Sequence, residues 1–350
     1  MKKARVALKP NLLMAAAIDR AVVTHPSFFK AVAQIVIENG GIPILAESPG
    51  FGSLEGVMKK VGYRDIVQEL RIEVARIRET DILHNTKAKT FKRIEISKAF
   101  FNVDMILNLP KFKTHGLTYI SGAVKNLFGT VPGLKKSHMH MRCPQSEEFS
   151  EWLLDLYSAL VYGFDKPKPI FTIMDAIIGL EGEGPGPSGK PRQIGAVIIG
   201  QDPVAVDYVA TGVVGLDHKK VYTITLGFER DFAVSSPQDI QIVGETPQSM
   251  RIKNFTPTRT SISSHFLRGP LVGTLAKNLI VQKPWPGEEK CTLCYKCKTI
   301  CPANAISRAR EGKKIPAYDY RKCIRCFCCM EICPEAAISL KKGPLHWLLG

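Results

Sequence analysis

Cys291-Thr-Leu-Cys294-Tyr-Lys-Cys297-Lys-Thr-Ile-Cys301-Pro302 and Cys323-Ile-Arg-Cys326-Phe-Cys-Cys329-Met-Glu-Ile-Cys333-Pro334 are two copies of one pattern. Residues 291–307 align with 323–339 at an offset of 32, with nine identities in seventeen, so each copy reads as one structural unit. Nine of the ten cysteines lie in this array. Such clustering argues against the disulfide framework of a secreted chain and for ligated thiolates in a reducing compartment, so a cytoplasmic location is expected.

Each copy has the form Cys-x-x-Cys-x-x-Cys-x-x-x-Cys-Pro, the ligand run of bacterial two-cluster ferredoxins, in which three cysteines wrap one cluster and the fourth crosses to the other. Two [4Fe-4S] clusters are therefore expected. Cys291, Cys294, Cys297 and Cys333 form one ligand set, and Cys323, Cys326, Cys329 and Cys301 the second. Ile306, Ile338, Tyr295 and Phe327 are expected to pack around them. Cys328 aligns with Lys296 and is left as the odd, nonligating thiol. Zinc also uses paired Cys-x-x-Cys units, but it needs neither a third step nor the doubled Cys-Pro.

The rest of the chain has to be read against an electron supply. At 350 residues and 45% hydrophobic content it can bury a substantial core. The formal charge is +16; eight thiolates and two dicationic cluster cores would bring it to about +12. That field suits anionic small molecules, nucleic acid or an acidic redox partner. No apolar run approaches the roughly 20 residues needed to cross a bilayer, and the charged start Met1-Lys2-Lys3-Ala4-Arg5 lacks a signal-peptide core. The tail, Pro344-Leu345-His346-Trp347-Leu348-Leu349 after Lys341 and Lys342, allows shallow peripheral contact with an anionic membrane or packing on the domain.

Taken in order, Arg5 to Leu8 reads as a strand and Pro26 opens a helix stopped by Gly40 and Gly41. Ile42 to Ala46 is a second strand, Leu54 to Val61 a helix, and Arg93–Ile96 and Met105–Leu109 further strands. Leu117, Ile120, Val124 and Leu127 recur at helical spacing. Next come a helix over 147–161, a strand over 171–174 and a loop over 181–189. Ile194 to Ile199 reads as a fully buried strand, and Asp202-Pro203 as a helix cap. A helix over 222–228 and a strand over 240–243 complete the domain. Alternating strands and helices predict an α/β main domain with a largely parallel sheet, followed by a small α+β ferredoxin-like domain. The boundaries read as 1–250 for the first, 251–284 for a linker, 285–342 for the cluster domain and 343–350 for a tail.

From Asn85 to Arg142 there are eleven Lys or Arg and two acids, a net charge of +9. Lys111, Lys113, His115, Lys125 and Asn126 sit among apolar residues at a strand end and on the next helix. Ligands of open α/β sheets bind at the carboxyl ends of strands, so an anion pocket is expected there. Lys9, Asn11, His25, Ser48, Asp175 and Glu181 also follow predicted strands and could converge on the cleft. His25 could equally cap the helix that Pro26 starts. His115 is the first choice of proton donor.

Three other motifs are set aside. Gly184-Pro-Gly-Pro-Ser-Gly189-Lys190 has phosphate-loop spacing, but Pro191 stands where Ser or Thr should bind magnesium. No Gly-x-Gly-x-x-Gly follows a strand. His138-x-His140 places two imidazoles on one face of a strand, without a third ligand nearby.

The chain resembles the family catalogued as domain of unknown function 362, in its form with a C-terminal ferredoxin module. The resemblance rests on Lys9-Pro10-Asn11, Thr24-His25-Pro26, Ser48-Pro49-Gly50, Asn108-Leu109-Pro110-Lys111, Lys113-Thr114-His115, Gly122-Ala-Val-Lys125-Asn126 and Asp202-Pro203-Val-Ala-Val-Asp207. It implies an α/β domain with an added cluster-binding domain. Members of that family carry a segment ahead of the Lys-Pro-Asn strand; here the motif begins at Lys9, so a late start or an absent edge element is expected.

Two functions follow. One is a ferredoxin-type oxidoreductase passing electrons between two [4Fe-4S] clusters and an anionic small molecule or cofactor held by Lys9, Asn11, His25, Lys111, Lys113, Lys125, Asn126 and Asp175. The other is a noncatalytic electron carrier or maturation partner that docks a redox partner protein through its basic surface. Nucleic acid is disfavoured, since nothing resembles a base-reading module.

Overall fold

The computed structural model describes residues 3–133, 135–259, 279 and 281–345. Chain order runs β1 (Arg5–Pro10), α1 (Pro26–Glu38), β2 (Ile42–Leu45), α2 (Leu54–Val61), α3 (Tyr63–Glu69), β3 (Glu73–Val74), β4 (Thr80–His84), β5 (Arg93–Ser97), β6 (Met105–Leu109), β7 (Lys111–His115), β8 (Tyr119–Ser121), α4 (Ala123–Asn126), α5 (Lys135–Arg142), α6 (Ser146–Tyr162), β9 (Ile170–Gly182), β10 (Gly189–Gly200), α7 (Pro203–Val213) and α8 (Tyr222–Thr225).

The apolar run Val6-Ala-Leu8 makes β1 a strand covered on both faces. It pairs in parallel with β2 and β6. Alternate residues point to opposite faces. Val6, Leu8 and Leu45 meet Phe29, Val32 and Val36 of α1 on one side, while Ala7, Ile44 and Ile106 meet Phe149, Trp152 and Leu153 of α6 on the other. The sheet order is β3-β2-β1-β6-β9-β7-β8, with β10 on β9. Only β8 and β10 join antiparallel. The main domain is thus α/β with a mostly parallel sheet, as expected.

Several local readings change. Lys111–His115, read as the polar end of the Met105–Leu109 strand, is a strand of its own, β7, with every residue buried. Leu117 to Leu127 is not one helix: β8 folds back on β7, and only Ala123–Asn126 is α-helical, followed by a 3-10 turn. Leu117, Ile120, Val124 and Leu127 are all buried, so their spacing recorded burial rather than a helix face. Arg93–Ser97 is a strand, but it pairs with β4 outside the main sheet. β9 runs on through Asp175 and Glu181. β10 is not fully buried, since Val197 and Ile199 are 49% and 60% exposed. Residues 240–243 form no strand. His138 and His140 lie on α5, where two residues apart means different faces; His140 stacks on Phe149 at 4.6 Å.

In the C-terminal domain β11 (Lys283–Pro286) pairs with β14 (Ile338–Lys341), and β12 (Ile306–Ser307) with β13 (Ala317–Tyr318). The 32-residue repeat extends to the backbone. Leu293 and Arg325, Tyr295 and Phe327, and Asn304 and Ala336 are equivalent pairs, all with φ between 48° and 62°. Left-handed conformation is uncommon for such residues, and its recurrence marks two copies of one wrapping path. Ile300 and Ile332, each just before a fourth cysteine, pack against the core formed by β1 and α1. Most of the expected linker and residues 346–350 of the tail lie outside the described residues.

Candidate anion pocket and cluster module

The carboxyl ends of β1, β2 and β6 converge, and the polar residues there are tied together. Lys113 Nζ donates to Asn11 Oδ1 at 2.8 Å and to the Val22 carbonyl at 2.9 Å. Asn11 Nδ2 donates to Asn126 Oδ1 at 3.0 Å, and Asn126 Nδ2 to Asn108 Oδ1 at 2.8 Å. This chain of amides sets the side chains of three distant segments in register. A cavity of about 60 Å³ lies against it, lined by Asn11, Lys113, His115, Lys125, Asn126, Lys136, Glu47 and Glu331 among others.

Two close approaches hold the pocket. Asp207 on α7 accepts the N–H groups of Ala123 and Val124 at 2.5 and 3.1 Å, capping α4 and aiming Lys125 and Asn126. A Cβ on Gly122 would come within 2.0 Å of that carboxylate. Lys9 pairs with Glu47 at 2.5 Å, both side chains buried, and a Cβ on Gly129 would meet Glu47 Oε1 at 2.2 Å.

His115 Nδ1 accepts the amides of Leu117 and Thr118 at 3.0 and 3.3 Å. The ring proton therefore sits on Nε2, which lies 3.3 Å from Glu331 Oε1. Burial, then Lys125, His140 and Lys113, hold His115 well below the usual imidazole range. It is a neutral donor at pH 7. Burial also brings Lys113 and Lys136 each down to about 7 and lowers Lys125.

Of the residues expected at the site, Asn11, Ser48, Lys113, His115, Lys125 and Asn126 line the cavity. Lys9 stands behind its wall, bonded to Glu47. Lys111 and Asp175 do not line it; they form a buried pair at 2.8 Å, and Asp175 also accepts the His25 amide at 2.9 Å. His25 is exposed and caps α1, its Nδ1 accepting from Ser27. Glu181 accepts the Thr256 amide.

Glu47, Lys136 and Glu331 were missed. Glu47 was legible as the second residue past β2 and Lys136 belonged to the basic stretch without standing out in it, whereas Glu331 in the cysteine array carried no local signal. A larger cavity of about 710 Å³ lies beside β10 and α7, and among the described residues its charged lining is Asp202, Asp239 and Glu245.

In the C-terminal domain Cys291, Cys294, Cys297 and Cys333 line one cavity together with Tyr318 and Ile338. Cys333 lies within electrostatic reach of Cys291 and Cys294, and Cys323 of Cys326 and Cys301. The neighbourhoods thus cross between the two copies. The amides of Ala305 and Ala337, another equivalent pair, donate to Cys301 Sγ and Cys333 Sγ at 3.3 Å. Burial raises the Cys297 thiol to about 11 and Cys333 and Cys329 as well, so thiolates here call for a cationic partner. No three described His, Cys, Asp or Glu side chains converge on a single ion; Cys291, Cys294, Cys297 and Cys333 instead line one cavity. An iron–sulfur cube fits this donor set.

A family model described as a domain of unknown function (DUF362) matches residues 6–212. The chain belongs to this family. A 4Fe-4S dicluster domain model matches residues 283–334, so the C-terminal part of this DUF362 protein is an iron–sulfur, ferredoxin-type domain. A thylakoid-associated protein of Synechocystis sp. is 35% identical over 248 residues, covering 68% of this chain and 74% of that protein. Two solved structures are more distant. A Thermotoga maritima protein shares 13% identity at a TM-score of 0.36, covering 57% of this chain and 50% of its own. The lactate racemase apoprotein of Thermoanaerobacterium thermosaccharolyticum shares 16% at 0.35, covering 57% and 46%. The chain thus spans about half the length of those structures. No helix among the described residues is long and apolar enough to cross a membrane.

Proposed function

We propose that this DUF362 protein is an iron–sulfur redox protein that exchanges electrons with an anionic small molecule bound in the Lys113, Lys125, Lys136 and His115 pocket. The observation behind this reading is Glu331. It belongs to the cysteine array, two residues from both Cys329 and Cys333, yet its carboxylate lies 3.3 Å from His115 Nε2 on the α/β domain. The cluster module and the pocket share one wall.

Two [4Fe-4S] clusters would be held by Cys291, Cys294, Cys297 and Cys333 and by Cys323, Cys326, Cys329 and Cys301, and would supply single electrons. The chain's own residues do the rest. Lys113, Lys125 and Lys136 hold the anion. His115 donates Nε2–H to it as a neutral imidazole. With their amines brought to about 7, Lys113 and Lys136 are the pocket groups that exchange a proton near neutral pH, a role first read onto His115.

The test is anaerobic purification with iron and sulfide analysis, low-temperature EPR, and mass spectrometry of released small molecules. About eight irons per chain and a bound anion that perturbs the EPR signal are expected. Zinc alone, or EPR spectra indifferent to every anion tried, would overturn the reading. The exposed thiol of Cys294 favours a second reading, an electron carrier that docks a partner at that edge; salt-sensitive binding to a redox protein without any small ligand would select it.

A further inference from the structure

We propose that the inner pocket is a carboxylate subsite and that Glu331 is its resident occupant, displaced when a substrate carboxylate enters. This rests on the anion-pocket reading above and adds the substrate class and the group it must expel.

The buried carboxylates near the pocket fall into two kinds. Glu47 is bonded to Lys9 at 2.5 Å. Asp175 accepts from Lys111 and the His25 amide at 2.8 and 2.9 Å, and Asp207 from two amides. These are saturated structural contacts. Glu331 differs. Its side chain is 13% exposed, and Oε1 lies 3.3 Å from His115 Nε2, yet neither atom makes a hydrogen bond. A buried polar atom left unpaired costs about 1–3 kcal/mol, so a permanent counter-ion would be expected to settle into better geometry.

The cations show the same surplus. Lys113 bonds an amide oxygen and a carbonyl, and Lys136 bonds the carbonyls of Ser48 and Pro49. Lys125 rests over the rings of Phe128 and Phe149 at 4.9 and 5.3 Å. Among the described residues none of the three has a carboxylate within ion-pair distance, although Glu331 lies near enough to act electrostatically on Lys113 and Lys125. Buried ammonium groups held only by neutral oxygens and ring faces favour an anion beside them. Beyond its Cα, Glu331 is a propionate, so the volume it fills together with the adjoining cavity of about 60 Å³ is shaped for a short carboxylic acid.

Displacement is tested on the anaerobic, cluster-loaded protein by calorimetric titration with sodium propionate, with EPR in parallel. Glu331→Ala should bind propionate at least about tenfold tighter than the unsubstituted protein, with Glu331→Gln in between. Lys113→Ala added to Glu331→Ala should lose most of that gain. The unsubstituted protein saturated with propionate should show the EPR line shape of Glu331→Ala with propionate, since both report the same displaced arrangement. Binding to Glu331→Ala alone, with none to the unsubstituted protein, would make Glu331 a fixed counter-ion and overturn the proposal. If propionate performs no better than chloride while inorganic phosphate still binds, the carboxylate class falls and the anion pocket stands. If no anion binds the unsubstituted protein, the anion-pocket reading itself fails. Should Glu331→Ala fail to load iron, Glu331→Gln takes its place in each comparison.

Discussion

Asp207 Oδ1 lies 2.5 Å from the Ala123 amide, so a carboxylate on α7 sets the start of the short helix that presents Lys125 and Asn126. Asp207→Ala would leave the buried amides of Ala123 and Val124 unpaired. A loss of about 2–3 kcal/mol in urea unfolding is expected, with weaker anion binding as α4 shifts. Unchanged stability and affinity would show that α4 holds itself.

Gly129 sits where any Cβ would strike the Lys9–Glu47 pair, at 2.5 Å from Nζ and 2.2 Å from Oε1. Gly129→Ala should break or displace a buried ion pair and cost about 3 kcal/mol or more, measured as a fall in the unfolding midpoint. Glycine is required by close approach here, not by a turn.

Lys113 and Lys136 are each brought to about 7 by burial, from an ordinary 10.5. A depressed amine contributes stability that is complete above its unfolded pKa and is lost as pH falls through the folded one. In anion-poor buffer the melting temperature should therefore decline as pH drops from about 9 to about 6. Added phosphate should restore it most at the acid end, because the charged amines bind it best. A flat profile with and without phosphate would contradict this.

Crossed ligation predicts which signals vanish together. Cys301→Ser should disturb the cluster held by Cys323, Cys326 and Cys329, and Cys333→Ser the one held by Cys291, Cys294 and Cys297. Each should take iron from about eight toward about four per chain. Cys328→Ser should leave iron content unchanged, because its thiol is the odd one.

His115→Gln keeps a donor near the Nε2 position but loses the locked imidazole. Anion affinity should fall severalfold while iron content stays constant. A variant that binds anions normally would remove His115 from the pocket's function.

The sequence was most informative where chemistry forces spacing. The cysteine repeat was readable residue by residue, and even its left-handed turns recur at the same offset. The parallel strands and α1 were equally legible, because a strand covered on both faces must be a continuous apolar run. Reading failed at β7, where Lys111, Lys113 and His115 are polar yet wholly buried. Their partners Asp175, Asn11 and the Leu117 amide come from other segments or from the fold of the hairpin itself, so hydropathy had nothing to register.

The cysteine spacing was enough to identify an iron–sulfur, ferredoxin-type domain at the C-terminus, and the alternation of strands and helices a basic α/β domain before it, since ligand spacing and periodicity are local properties. Folding is what brings Glu331 from the cysteine array to His115 and sets Lys136 beside Lys113 and Lys125 at the sheet's carboxyl edge. Those contacts join residues up to 216 positions apart. They arise because packing Ile332 into the β1–α1 core carries its neighbour Glu331 into the pocket, and no local pattern encodes where a docked domain will land.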